Sequence, residues 1–414
     1  MHVCMLVTTN ITNDPRVMKE ATALTQAGHT VQIIGLCRTG TEPITEVVAD
    51  VAMQRLNLWH MRLSRWLKAR RGYLVTATLF DTTLLQKTLT EFSWRHWLLQ
   101  MLYQLNYAID ILTILWAYFS VAIRQQADVY HAHDVNTLLP TLLAGWWHQK
   151  PVIYDAHEYW YTKCRSQIIT NWIVRWIERF GTPRCAHVFA VNGSIAQRMA
   201  KHYSIAVPTV LMNVPANVPS QPPRSLQDDR PVELLYHGGY LPQRGLESLI
   251  TAMSLVKASV HLTLRGYGAI ELALKAQVEL LELQTRVTFA PPVPMHQLSQ
   301  TASASHVGIM PYTMQTAEFS LPNKLFEYMA AGLAILTNNL PEIAAIVNQY
   351  QIGTIYNCDD PIILAQAIDE LVSDCLRLEQ YRQQAWQVYQ EHFTWKKHQQ
   401  VLLDVYSKLA LNNV

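Results

Sequence analysis

Charge is what this sequence has least of. Of 414 residues, 15% are Asp, Glu, Lys or Arg and 50% are hydrophobic. So low a charge argues against long disordered stretches, and the apolar content suffices for two buried sheets. Paired cysteines are lacking too. Cys4, Cys37, Cys164, Cys185, Cys358 and Cys375 are scattered with no C-x-x-C pair, which argues against a disulfide framework or a zinc site and fits a reducing cytosol. The opening MHVCMLVTTN has neither a basic n-region nor a long apolar run and reads as a first strand rather than a signal peptide. A spanning helix needs roughly 20 apolar residues. The most apolar stretch, Trp97 to Ile123, is interrupted by Gln100, Gln104, Asn106 and Asp110 and is a poor candidate. The net charge of +2 says little about partners, and no nucleic-acid partner is expected.

What charge there is falls unevenly. Residues 51–80 hold Arg55, Arg62, Arg65, Lys68, Arg70 and Arg71, with Trp59, Trp66 and Tyr73 among them and no acid. One reading is an amphipathic element packed on the first sheet. The other is a basic and aromatic surface lying on anionic lipid. The sequence leaves both open.

The length exceeds one ordinary core and suits two domains. Along the chain, short apolar strands alternate with helical patterns. The first strand, near residues 2–8, leads to Asp14-Pro15, a capping residue followed by proline at the first helical position, and Gly28 supplies the stop. Strand-like segments follow at 31–36, 129–133, 151–157 and 187–192. NVPANVPSQPPRSLQDDRP is proline-rich and aperiodic, a linker over 213–231. The rhythm then restarts at 232–239, 260–266, 286–290, 306–312, 333–337 and 352–356, and after about 360 only helices remain. The fold class is therefore α/β: two Rossmann-like, doubly wound parallel sheets facing a cleft, with ligands expected at the carboxyl ends of strands. The boundaries are a first domain over 1–212 with the insert at about 51–125, a second over 232–385, and a terminal helical segment over 386–414.

The most informative stretch is SLPNKLFEYMAAG, Ser320 to Gly332. Ser320 can cap, Pro322 sits in the first helical turn, and Gly332 ends the helix. The N–H groups of Leu321, Asn323 and their neighbours, with the helix dipole, form a ready site for a diphosphate. Lys324 and Glu327 share a face. The lysine can meet phosphate charge and the glutamate can accept hydrogen bonds from sugar hydroxyls such as ribose; an ordinary surface Lys–Glu pair has the same spacing. HGGYLPQRG, His237 to Gly245, follows a strand, where Gly238 and Gly239 admit a phosphate to the backbone and Arg244 could neutralise a departing diphosphate. Gly266-Tyr267-Gly268 is a further strand-end turn able to receive a base or ribose. In the first half, HAHD (His131 to Asp134) and DAHE (Asp155 to Glu158) each end a strand. They lack H-e-x-x-H spacing, and adjacent side chains on a strand point to opposite faces, so no metal is expected.

In this order, the motifs resemble the GT-B glycosyltransferases of family 4, retaining enzymes that use nucleotide-diphosphate sugars. The resemblance rests on NDPRVMKE (Asn13 to Glu20), Gly28-His29, DVYHAHD, YDAHE, LMNVP (Leu211 to Pro215), the 237–245 loop, Gly266-Tyr267-Gly268 and PNKLFEYMAAG. It implies a donor site on Gly238, Gly239, Gly266, Gly268, Ser320, Leu321, Pro322, Asn323 and Glu327, with Glu327 on the ribose. It implies catalytic roles for His133 near the transferred sugar and for Arg244 and Lys324 at the diphosphate. Arg16, His131, Asp155, His157 and Glu158 become candidates on the acceptor side, and the last helices are expected to cross back to the first domain. Two family side chains are missing: Phe319 stands where the first glutamate of E-x7-E belongs, and Gly239 where a loop arginine belongs.

The resulting expectation is hexosyl transfer with retention, from a nucleotide sugar to a hydroxyl acceptor, which a lipid carrier could bear, in glycan, polysaccharide or glycolipid synthesis. No cofactor beyond the nucleotide-sugar co-substrate is expected, and the location is cytoplasmic, extending to the inner face of a membrane. An epimerase or hydrolase of nucleotide sugars, or a non-catalytic donor-binding subunit, fits the same motifs.

Overall fold

The computed structural model describes residues 1–12, 14–37, 42–58, 112–158, 168–216, 218–219, 221–223, 225–226, 231–242, 244–313, 321–356 and 360–412. The chain divides into two compact units. The first comprises Met1–Ala190, Ala196–Thr209 and Leu403–Val414, and the second Val191–Ile195 and Val210–Leu402.

The first unit is built on an eight-stranded sheet of β1 (His2–Leu6), β2 (Thr30–Leu36), β3 (Thr45–Val48), β4 (Val51–Leu56), β5 (Val129–His133), β6 (Val152–Ala156), β7 (His187–Ala190) and β8 (Thr209–Val210), in the order β3-β4-β2-β1-β5-β6-β7-β8. The pairs from β4 through to β7 are parallel, and β3 joins β4 antiparallel at the edge. Helix α1 (Pro15–Gln26) starts as the sequence indicates: Asp14 accepts from the Val17 N–H at 3.3 Å, and Pro15 takes the first turn. Helices α2 (Val135–His148) and α3 (Ile168–Gly181) follow β5 and β6.

Strands β3 and β4 were not expected. Strand β3 precedes the insert and β4 begins it, and β4 removes Arg55 from the basic-surface reading. Its side chain is 1% exposed, donating to the carbonyls of Asn10 and Pro43, to the Thr12 hydroxyl and to Glu46. A guanidinium with that many acceptors can be buried, so Arg55 ties loops and is no surface cation. Arg62, Arg65, Lys68, Arg70, Arg71, Trp59, Trp66 and Tyr73 lie outside the described residues. No described helix is long and apolar enough to cross a membrane.

Glu178 of α3 is also buried, accepting from the hydroxyls of Tyr154 (2.9 Å) and Tyr203 (2.6 Å). Burial pushes its carboxyl up to about 7, although both hydroxyls pull the other way. The folded chain therefore keeps this proton to higher pH than the unfolded chain does. The stability it contributes is present at low pH and is lost as pH rises from about 4.5 to about 7. Glu178→Gln should flatten that part of the pH–stability curve, by up to about 1.4 kcal/mol per pH unit. Urea melts across the range check this, and an unchanged slope would contradict it.

The second unit is a six-stranded, wholly parallel sheet of β9 (Val232–His237), β10 (Val260–Arg265), β11 (Val287–Ala290), β12 (Val307–Met310), β13 (Ala334–Asn338) and β14 (Gly353–Tyr356), ordered β11-β10-β9-β12-β13-β14. Numbered within the unit this is 3-2-1-4-5-6, the order of dinucleotide-binding sheets, and it reverses between β9 and β12. Strand alternation divides the core. Leu234 and Tyr236 join one cluster, with Leu262, Leu264 and Leu336 of the sheet and with α4 (Leu246–Leu255). Leu235 joins the opposite one, with Met310, Ile335 and α5 (Asn323–Ala330). On α5, Leu325, Phe326 and Met329 are fully buried, each worth about 1.5–3 kcal/mol. The last helix, α6, runs Trp395–Asn412.

Candidate functional site

In the second unit, the strand ends at the reversal point carry the predicted donor residues. Because residues two apart on a strand share a face, His237 projects on the side of Leu235, where α5 packs. Its Nε2 meets Glu327 Oε2 at 2.6 Å, and its backbone N–H donates to the Tyr328 hydroxyl at 3.0 Å. Lys324 and Glu327 are 8% and 7% exposed, which excludes a surface pair. The Lys324 ammonium lies 3.8 Å from the centre of the Tyr236 ring and 5.1 Å from that of Tyr312. Burial opposes its charge, but Tyr312 and Tyr236 outweigh burial and hold its pKa above the ordinary value. The guanidinium of Arg244 stands 4.9 Å from the same Tyr312 ring. The two predicted phosphate cations are thus brought to one aromatic side chain, with attraction to its π face.

Backbone close to these cations is kept bare. Gly238 has φ +134°, and a β-carbon there would lie 2.9 Å from Lys324 Nζ. Gly266, at φ +153°, lies so close to the Gly238 carbonyl that a β-carbon would stand 2.0 Å from that oxygen. Both positions therefore require glycine, which brings the loops after β9 and β10 together. Gly239 accepts from the Tyr236 hydroxyl at 3.1 Å, and Gly268 packs on the Tyr240 backbone. Helix α5 starts two residues later than a Ser320 cap would place it, with Pro322 as its N-cap and no side-chain cap bond, so its first-turn N–H groups can serve an anion. Leu321 and Pro322 are half-buried and Asn323 begins the helix, while Ser320 and Phe319 lie outside the described residues. Gly332 ends the helix at φ +69°. Sequence reasoning did not select His237, Tyr236, Tyr312 or Tyr328. The aromatic strand ends in VELLYH and VGIMPY were the available signal.

In the first unit a second cluster forms where β5 and β6 end. Arg16 donates through Nε and Nη2 to the two Asp155 oxygens, 2.6 Å each, and lies 3.2 Å from Glu20. His157 Nε2 is 3.0 Å from Asp155, and its ring faces Asp134 at 3.6 Å. His133 Nδ1 approaches Asp155 at 3.4 Å, and His131 Nδ1 meets the Tyr406 hydroxyl at 2.9 Å. Arg16, Glu20, His131, His133 and Asp155 are all buried, so none offers surface to a ligand in this conformation; His157 and Glu158 are half-buried.

The electrostatics follow from burial and neighbours. Burial, reinforced by His133, holds His131 well below the usual imidazole range, and burial lowers His133 although Asp155 opposes it. Burial works against the Asp155 charge, but Arg16 and His157 overcome it and hold the carboxyl well below its ordinary value. Burial, with Asp155 adding to it, raises Glu20. His157 goes the other way: burial is outweighed by Asp134 and Asp155, and the imidazole is pushed up to about 9. Asp134 itself takes φ 65° and ψ 162°, a backbone region almost reserved for glycine, and it accepts from the His157 N–H at 3.3 Å. Strain of this kind gathers at working sites.

Residues 231–374 match the family model described as Glycosyl transferases group 1, and residues 61–211 match Glycosyltransferase Family 4. The chain is 24% identical over 316 residues to the α-maltose-1-phosphate synthase of Mycobacterium tuberculosis, covering 69% of this chain and 80% of that enzyme. Among solved structures, sucrose-phosphate synthase from Thermosynechococcus elongatus superposes with a TM-score of 0.68 at 15% identity, covering 100% of both chains. Anabaena HepE in complex with UDP-glucose gives 0.66 at 13%, covering 99% of this chain and 100% of its own.

Proposed function

The chain belongs to the group 1, family 4 glycosyltransferases, and from that premise we propose that it transfers a hexosyl unit from a nucleotide-diphosphate sugar to a hydroxyl acceptor, with retention. The observation that carries this reading is the meeting of Lys324, Arg244, Gly238 and the His237–Glu327 pair around the start of α5. Two cations and free helix N–H groups suit a diphosphate, and an anchored carboxylate suits a ribose diol. HepE, with the same fold, is known in complex with UDP-glucose, so a uridine nucleotide is the first donor to try. Incubating the full chain with UDP- and GDP-hexoses and candidate acceptors, then analysing products by mass spectrometry, tests the proposal. A glycosylated acceptor and free nucleoside diphosphate are expected; free sugar alone or an isomerised nucleotide sugar would replace transfer by hydrolysis or epimerisation.

In this reading Arg244 acts on the leaving group, whose negative charge grows as the sugar departs. Arg244→Ala should therefore reduce kcat more than donor affinity. Equal losses in steady-state rate and in equilibrium binding would make it a binding residue only.

The acceptor is proposed to be membrane-borne. Trp146 and Trp147 of α2 and Trp172 and Trp176 of α3 are exposed, with Arg175 and Arg179 exposed on the same α3 and the only acid of these two helices, Glu178, buried. Indole rings favour the bilayer interface, and Arg near an anionic leaflet contributes about 1 kcal/mol each. Sedimentation with anionic but not neutral vesicles, weakened by salt and by Trp172→Ser with Arg175→Glu, is expected. A protein that stays in the supernatant at low salt would end this part of the proposal.

A further inference from the structure

We propose that Glu20, His131 and His133, together with Asp155, hold a divalent metal ion inside the first unit, zinc being the best match to nitrogen and carboxylate donors. One ligand atom from each of the four lies within 4.8 Å of the others, and all four residues are buried. Zinc bonds of about 2.0–2.2 Å would need each ligand to draw in by about 1 Å.

The decisive feature is which atoms are left over. His131 Nε2, His133 Nε2 and both carboxylate oxygens of Glu20 are buried with no hydrogen-bond partner. Orphaned polar atoms in an interior are costly, so three in one cluster, beside a Glu20 Oε1 that only Arg16 approaches, call for a common partner. The second nitrogen of each ring is already engaged: His131 Nδ1 with the Tyr406 hydroxyl at 2.9 Å, His133 Nδ1 beside Asp155 at 3.4 Å. If Nδ1 carries the proton in each ring, both Nε2 lone pairs are directed to the cluster, the arrangement by which outer partners orient metal-binding histidines. Arg16 lies 3.2 Å from Glu20 Oε1, which leaves Oε2 for the ion, and Asp155, whose two oxygens each accept from Arg16 at 2.6 Å, would share one of them with the ion.

Adjacent side chains on a strand diverge, which disfavours a metal site built from neighbours in sequence. His131 and His133 are two apart, so they share a face, and their rings stack with centres 4.3 Å apart. Glu20 arrives from α1, which no spacing within HAHD or DAHE could disclose. The ion would pin α1 to β5 and β6. All four ligands belong to the first unit, and metal content can be read without the transfer reaction.

The test uses the full chain, produced in zinc-supplemented medium and gel-filtered in metal-free buffer. Elemental analysis should find about one zinc per chain, and stripping with a strong chelator should lower Tm until zinc, but not magnesium, restores it. Glu20→Gln keeps the shape of a side chain whose neutral form burial already favours, so it is the variant best able to fold, and it should lose the zinc. His296→Gln, an exposed histidine of the second unit, should retain it. Parent protein with no more than trace metal and a Tm unmoved by zinc overturns the site, whatever the variants do. So does Glu20→Gln with full zinc content.

Discussion

Lys324→Met is expected to lower kcat/KM for the nucleotide sugar by about 10²–10³-fold, the usual loss when a preorganised charge is taken from a developing anion. Methionine keeps the aliphatic bulk beneath Tyr236 and Tyr312 and removes only the ammonium, so the fold should be preserved. Release of nucleoside diphosphate, followed under initial-rate conditions alongside thermal melts, separates the two effects. A variant that melts with the parent and turns over within threefold of it would remove Lys324 from the diphosphate site.

Glu327→Ala should weaken donor binding by about 1–3 kcal/mol, the cost of losing hydrogen bonds to a charged acceptor. That corresponds to roughly 5–150-fold in Kd. His237 would lose its 2.6 Å partner as well, so some stability should go with it. The two contributions are told apart by the ligand. Loss of ribose contacts weakens nucleosides and nucleotides alike, whereas a displaced helix would mainly affect diphosphates. If uridine and UDP both bind the variant as they bind the parent, Glu327 does not hold the ribose.

The reach of the sequence differs between elements and sites. Strands that are short, apolar and followed by a capped helix, such as β1 with Asp14-Pro15, were readable because every local signal agreed. Strand β4 was not, because Arg55 breaks its apolar pattern and is compensated by Asn10, Thr12, Pro43 and Glu46, residues brought in by folding. At the candidate donor site, Lys324, Glu327, Arg244 and the glycines could be proposed from their places after strands. Their partners could not. His237 and Glu327 are 90 residues apart, and Tyr312 enters only because β12 lies beside β9. In the first unit, HAHD and DAHE were visible as clusters, but not that His131 and His133 turn inward while His157 lies nearer the surface. Burial is a tertiary property, and nothing in four adjacent residues encodes it.

The central claim, that the strand ends between β9 and β12 with the start of α5 form a nucleotide-diphosphate-sugar site, is tested most directly by equilibrium titration. The full chain and the variants Lys324→Met and Glu327→Ala would be titrated with UDP, GDP and ADP and with their hexose conjugates. Saturable, one-site binding of one nucleotide series is predicted, weaker in both variants, with the monophosphate and the bare nucleoside binding less well to the parent. Absence of saturable binding to any of the three series, or equal affinity in parent and both variants, would contradict the account.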